Sequence, residues 1–138
     1  MEMIDKLLDA LAETLEKVNS EAEIYINEIK QDFEEPCFFI QLLNPNEKHL
    51  HSDRYSRNYD FVINYFPENK DKKELFGMIE KLHNELEIIG NNDFLGSDRH
   101  SEIVDGVLHY FVTYKCFVRK IVETDVMEKV KVDVVPRR

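Results

Sequence analysis

Residues 101–120 read "SEIVDGVLHYFVTYKCFVRK" and hold the most informative pattern in this chain of 138 residues. Asp105-Gly106 separates two runs of alternating residues, which predicts a β-hairpin with a two-residue turn. The second run stays strand-like from Val107 to about Val118, roughly twice the usual strand length of about five to six residues. A strand of that length must cross a large sheet or extend beyond its own domain.

The two faces of this second run differ in chemistry. One face is apolar or aromatic at every position: Leu108, Tyr110, Val112, Tyr114, Cys116 and Val118. The opposite face is mixed: Val107, His109, Phe111, Thr113, Lys115 and Phe117. Because alternate residues of a strand point to the same side of a sheet, we expect the apolar face to share a core with Leu11 and Leu82.

The rest of the chain supplies two helices and further strands. Apolar residues recur at helical spacing in residues 2–18 and 70–89, where Asn69 can cap the second helix. Strands are predicted in four other stretches: residues 22–29, 36–43, 55–66 and 128–135. Two polar stretches are predicted to be loops: "NPNEKHLHSDR" (residues 44–54) and "GNNDFLGSD" (residues 90–98).

These elements predict one α+β domain over residues 1–138. Its sheet would have about five to six mostly antiparallel strands, in the order α-β-β-β-α-β-β(-β). Both helices are amphipathic, so we expect them to pack on one face of that sheet.

Composition narrows the possible partners. The 18 Lys and Arg residues against 28 Asp and Glu residues leave a net charge of −10, spread along the chain. A surface of that sign repels phosphate backbones and argues against sequence-independent nucleic-acid binding, although DNA can pass such a surface without adhering. We expect no specific nucleic-acid binding either. No apolar run reaches the roughly 18 residues of a membrane span, so we expect a cytosolic protein without membrane contact. Cys37 and Cys116 fall in apolar runs, which predicts buried thiols.

Residues for catalysis are sparse. No nucleophile elbow, phosphate-binding glycine loop or HExxH motif occurs in the sequence. His49 and His51 lie near Asp53 and could begin a metal site, but further ligands would have to come from distant histidines. We therefore interpret the histidine stretch as an exposed polar loop. The sequence predicts no enzymatic activity, no metal and no cofactor.

Several residues indicate a surface that needs a partner. Phe94 and Leu95 occur in a stretch that should be polar, and two phenylalanines occur on the mixed face of the long strand. The histidine stretch is long enough to project. The predicted interaction surface therefore comprises Phe94, Leu95, His49, His51, Phe111 and Phe117.

Three motifs in a fixed order are similar to a known family. "EPCFFI" (residues 35–40), "NYFP" (residues 64–67) and "EIVDGVLHYFV" (residues 102–112) resemble the tail terminators of long-tailed bacteriophages and of prophages in Gram-positive bacteria. The similarity extends over nearly the whole chain, from "MIDKLLDALAETL" near its start to "DVMEKV" near its end.

The resemblance implies a structural protein that closes the head-proximal end of the tail tube as a ring, expected to be a hexamer. Its partners would be further copies of the chain, the tail tube protein and the head-completion or connector protein. It would act in the host cytoplasm during assembly and in the neck of the virion tail.

Two alternatives stay open. They are a cytosolic adaptor domain without catalysis and, less favoured, a small metal-dependent enzyme that uses the His49/His51 loop.

Overall fold

The computed structural model describes residues 3–26, 32–69, 71–122 and 130–135, which form two helices and eight strands. In chain order these are α1 (Met3–Val18), β1 (Glu23–Ile26), β2 (Cys37–Leu42), β3 (Asn46–His51), β4 (Arg54–Phe66), α2 (Lys72–Glu85), β5 (Ile88–Ile89), β6 (Phe94–Val104), β7 (Val107–Val122) and β8 (Val130–Val135). The predicted α+β class is confirmed. Neither α1 nor α2 is long and apolar enough to span a membrane.

Two long strands form the centre of the sheet. β4 and β7 pair antiparallel from Arg54 opposite Arg119 to Tyr65 opposite Leu108. The strand order is β1-β2-β4-β7-β6-β5, with β3 also paired to β4 and β8 also paired to β7. Only β1 and β2 run parallel among the described strands. Each long strand therefore has two successive partners along its outer edge.

The predicted hairpin is confirmed. Val104 pairs with Val107, and Asp105 and Gly106 between them have φ angles of 52° and 77°. Two successive positive φ angles are those of the type I′ turn, whose twist matches that of the flanking strands. The strand after the turn continues to Val122, four residues beyond the predicted end.

The core lies between the helices and one face of the sheet. The apolar face predicted for β7 is buried, and Leu11 and Leu82 belong to the same cluster as that face, as predicted. Along the two long strands the cluster ends at Tyr59 and Cys116. Both helices thus cover only part of the length of β4 and β7.

Beyond that limit the sheet continues as a four-stranded extension. We define the extension as β3, residues 54–58 of β4, residues 115–122 of β7, and β8. We call the sheet face opposite the helices the open face, and it runs without interruption from the helix-covered part into the extension.

Two stretches predicted to be loops form strands instead. Residues 46–51 are β3, which pairs with β4 across a turn that contains Ser52 at a φ of 53°. Every residue of β3 is exposed, so burial imposed no apolar alternation on its sequence. Phe94 begins β6. With the two-residue β5, these strands bring the described sheet to eight strands.

The second helix is shorter than predicted. Its N-cap is Asp71, whose side chain accepts a 3.0 Å hydrogen bond from the Lys73 N–H, and not Asn69. The helix ends at Glu85, because Ile89 leaves it to pair with Phe94. Leu86 and Ile89 are nevertheless buried, so the apolar periodicity continues past the helical backbone.

Replacing Leu82 with alanine should lower the free energy of unfolding by about 2 to 5 kcal/mol, because the side chain is fully buried and its removal leaves a cavity. Leu11→Ala should have a similar effect. Lys81→Ala at an exposed position is the matched control, with an expected change within about 0.5 kcal/mol. Urea denaturation measures all three, and changes near zero at Leu11 and Leu82 would contradict a shared core.

Replacing Gly96 with alanine should lower the free energy of unfolding, whereas replacing Gly77 with alanine should raise it. A Cβ on Gly96 would lie 2.8 Å from the Leu86 carbonyl oxygen, and the Gly96 N–H is held by a 2.6 Å hydrogen bond to Glu87. No atom lies within 4 Å of a Cβ on Gly77, which is inside α2. Gly77→Ala should therefore raise the free energy of unfolding by up to about 1 kcal/mol. Thermal melts in which Gly96→Ala is the more stable variant would contradict this packing.

Candidate interaction surface

The structure divides the predicted interaction residues between the two faces of the sheet. Phe94 is only 5% exposed, so the expectation that its side chain is available in a loop is wrong. As the first residue of β6 it pairs with Ile89 and points to the helix-covered face, where its ring lies against Gly90. Leu95 is next in the strand and therefore points to the open face, opposite Lys115.

Phe111 and Phe117 also lie on the open face, together with Leu95. Phe111 is half-buried and stacks on the ring of His100, with 4.8 Å between ring centroids and 13° between planes. Phe117 belongs to the extension and is 36% exposed. Three of the six predicted residues thus share one surface, although the sequence does not indicate which residues join them there.

Hydrogen bonds between side chains connect the central strands on this face. The Thr113 hydroxyl donates to Asp60 at 2.6 Å, and His109 Nδ1 donates to the side-chain oxygen Oδ1 of Asn64 at 2.5 Å. The Asn64 amide donates in turn to Gln41 at 3.4 Å. These bonds satisfy polar groups between β2, β4 and β7, so their role in the structure is to hold the strands in register.

Aromatic rings cover one end of the open face. Phe39 of β2 stacks on Tyr25 at 4.9 Å and meets Phe33 edge-on at 5.4 Å. The ring centroids of Phe33 and Phe66 are also 4.6 Å apart. This cluster buries Phe39 completely. The end near β1 and β2 therefore has its own cover.

A cavity of about 450 Å³ opens beside the uncovered centre of this face. Its lining includes apolar surface from Leu43 and Phe111, with Asp60, Asp98 and Thr113 beside it. Asp98 is exposed, whereas Asp60 accepts the Thr113 hydrogen bond. The lining therefore combines apolar with polar and charged side chains, as protein contact surfaces do.

His49 and His51 lie in β3 and not in a loop, which corrects the predicted placement, and both are exposed. The ring of His49 stacks on Tyr55 at 4.5 Å, and its Nε2 lies 2.8 Å from the Ser52 carbonyl oxygen. A carbonyl can only accept, so Nε2 carries the proton and closes the β3–β4 turn. Within the described residues, no three His, Cys, Asp or Glu side chains are grouped as metal ligands.

A charged cluster that the sequence analysis missed joins the strands of the extension. The Glu47 carboxylate binds Arg57 at 2.7 Å and Lys120 at 2.6 Å, and so connects β3, β4 and β7. The Lys120 ammonium also lies 4.2 Å from the centroid of the Tyr55 ring. Hydrogen bonds from Lys120 and then Arg57 lower the pKa of Glu47. Only the register of three strands brings these residues together.

The buried titratable groups are neutral members of the core. Cys37 and Cys116 are buried and form no disulfide, as predicted from their apolar surroundings. Burial, with a smaller effect of the Glu35 carboxylate, raises the pKa of the Cys37 thiol to about 12. Burial also raises the pKa of Tyr114, whose hydroxyl donates to the Leu86 carbonyl at 2.8 Å. A protonated thiol is a poor nucleophile, so Cys37 contributes packing.

Glu47→Gln should lower the free energy of unfolding at neutral pH by about 1 kcal/mol or less, the usual range for exposed ion pairs. Because the pKa of Glu47 is lowered from 4.5 by folding, its contribution is complete above that value and is lost as the pH falls through the folded-state pKa. The difference between wild type and variant, measured by urea denaturation, should therefore stay constant above about pH 5.5 and shrink below 4.5. A difference that grows on acidification would contradict the cluster.

Comparison with known proteins identifies the family. A family model described as phage tail terminator protein matches residues 6–126, from the first turns of α1 to beyond the end of β7. No curated protein gives a significant match to the sequence. The matched range includes most of α1, all of α2 and the central β4–β7 pair. The chain therefore belongs to the phage tail terminator protein family, and it is a structural protein of the phage tail.

Proposed function

We propose that this chain closes the head-proximal end of the tail tube as a ring, expected to be a hexamer. The ring would also present the surface that the head-completion or connector protein joins. The observation that carries the proposal is the family match over residues 6–126, which includes seven of the eight described strands. Assembly would take place in the host cytoplasm, and the assembled protein would lie in the neck of the virion.

The shape of the sheet supports a role in assembly. A closed ring requires each subunit to use two different patches, one for each neighbour. The helix-covered part and the extension are two such different regions, and the open face connects them. Phe117, Phe111 and Leu95 place apolar surface on that face, where clustered apolar side chains commonly mark contacts.

The charge of the chain supports a ring through which DNA passes. A net charge of −10 repels phosphate groups, so DNA in the channel would slide instead of binding. The polar groups at the centre of the open face are hydrogen-bonded to one another between strands, which favours a structural use of that face over a reaction. The tail tube protein and the head-completion protein are the proposed partners of the two ring faces.

Electron microscopy of isolated tail tubes tests the proposal. Purified chain should add density at the head-proximal end alone, which can be recognised because the opposite end carries the tail tip. Phe117→Ser should reduce the fraction of marked ends, because it removes an apolar side chain from the open face. Phe76→Ser is the matched control, since Phe76 is 55% exposed on α2, away from that face, and its loss should have no effect.

Circular dichroism of both variants checks that each is folded. A wild-type chain that marks neither end of the tubes would refute the terminator role. If the Phe117 and Phe76 variants reduce the fraction of marked ends equally, the open face does not make the contact. The terminator role itself would still stand.

A further inference from the structure

The charges of this acidic chain are separated along the sheet. Residues 46–58 and 115–122 of the extension contain six cations and two anions, a net charge of +4: Lys48, Arg54, Arg57, Lys115, Arg119 and Lys120 against Glu47 and Asp53. The remaining residues hold 12 cations and 26 anions, a net charge of −14, so that the two parts sum to the −10 of the whole chain. One end of the sheet is therefore basic and the rest of the molecule acidic.

Most of the excess positive charge of the extension lies on its open face. On the other face Glu47 already binds Arg57 and Lys120. Strand register places four cations around Phe117 on the open face, and we call this group the basic patch: Lys48, Arg54, Lys115 and Arg119. Arg54 lies 4.0 Å from Asp53 in an exposed pair, and strand register places Arg119 opposite Asp133 of β8.

The basic patch has the properties of a docking surface. Lys48, Arg54 and Lys115 are exposed, and the Lys115 ammonium lies 5.6 Å from the centroid of the half-exposed Phe117 ring. Cations around an aromatic side chain favour an acidic protein surface, because the ring supplies apolar contact and the cations supply charge pairing. At physiological salt, charges separated by more than about 8 Å are largely screened from each other. The charge of the local surface, and not the net charge of the chain, therefore decides what can dock.

The same chain carries a surface of the opposite sign. The exposed side of α1 has four carboxylates, which we call the acidic ridge: Asp5, Asp9, Glu13 and Glu16. From first to last the ridge extends about 16 Å along the helix at about 1.5 Å per residue. Lys115 to Arg119 extends about 13 Å along β7 at about 3.3 Å per residue. The two surfaces are therefore similar in length.

Within one subunit these two surfaces cannot meet. α1 packs on the sheet through Leu7, Leu11 and Leu15, so the acidic ridge points away from the helix-covered face. The basic patch lies on the opposite face of the sheet. A contact between them must join two copies, and because the two patches differ it is a head-to-tail contact, the kind that closes rings.

We propose that the basic patch of one subunit docks on the acidic ridge of α1 of the next subunit. This inference rests on the proposed ring, for which it supplies the contact between neighbours. Lys48 and Lys115 pair with the carboxylates of the ridge, and Phe117 is covered between them. The contact is sensitive to salt, because most of its charged groups are at the surface.

Charge reversal on purified chain tests the contact. Lys48→Glu with Lys115→Glu, or Asp9→Lys with Glu13→Lys, should each raise the concentration for half-assembly about tenfold or more, because like charges then face each other. The chain with all four changes should assemble again, since it has the same net charge as wild type and the opposite signs at both surfaces. Sedimentation velocity at low and high salt measures assembly, and circular dichroism measures folding.

Matched controls separate this contact from net charge. Lys72→Glu with Lys73→Glu brings the chain to the same −14 as the patch variant, since −10 minus 4 is −14. Glu80→Lys with Glu85→Lys brings it to the same −6 as the ridge variant, since −10 plus 4 is −6. All four positions are exposed on α2, and these variants should assemble like wild type.

Several outcomes would overturn the inference: a wild type that stays monomeric at every concentration, variants that assemble like wild type, controls that fail equally, or a fourfold variant that does not recover. Retention on duplex DNA that the patch variant loses, with assembly unchanged, would assign the patch to DNA instead. If a reversal variant unfolds, Lys48→Gln with Lys115→Gln replaces it. If the chain marks tube ends but fails these assembly tests, the docking contact is refuted and the proposed function stands. If the chain passes these tests and forms rings that do not mark tubes, only the proposed function is refuted.

Discussion

The antiparallel pairing of β4 with β7 is the constraint on which the other features depend. From Arg54 opposite Arg119 to Tyr65 opposite Leu108, it sets which side chains share a face. One face supplies the core beneath both helices, whereas the other stays open. Because the pairing is longer than the layer of helices, it continues into an extension. A single register therefore determines the core, the open face and the basic patch.

The sequence predicted the elements whose burial imposes a pattern. Both faces of β7 were assigned correctly, because one side is buried under helices and must be apolar. The same reasoning failed for β3, since an edge strand with all residues exposed has no such pattern. Phe94 was misplaced because its neighbours are typical of turns. Its pairing with Ile89 and its contact with Gly90 are local, across the turn of residues 90–93, and its burial depends on how that turn packs against the core.

The candidate surface was only partly predictable for the same reason. Phe111 and Phe117 could be placed on the less apolar face of a strand from alternation alone. The grouping of Lys48 with Lys115 and Arg119, however, requires the register of β3 on β4 and of β4 on β7. A net charge of −10 also conceals a basic region, because composition averages over the chain. Signals that depend on which strands are neighbours appear only in the fold.

Membership of the phage tail terminator protein family agrees with a fold whose polar groups bind one another between strands. His49 stacks on Tyr55 and closes a turn, so the residue that suggested a metal site has a structural use. The extension is the part of this fold that lies beyond the helices. In the proposed ring, it brings a basic surface to a neighbouring subunit while the helix-covered core stays unchanged.

Hydrogen–deuterium exchange of the free chain and of the chain assembled in tails tests that account most directly. The helix-covered segments of β4 and β7, from Tyr59 to Tyr65 and from Leu108 to Tyr114, should exchange slowly and equally in both states, because the core already protects them. The amides of β3 should be slower only in tails, where the extension contacts a neighbour. Equal exchange of β3 in both states, with new protection confined to α2, would contradict the account.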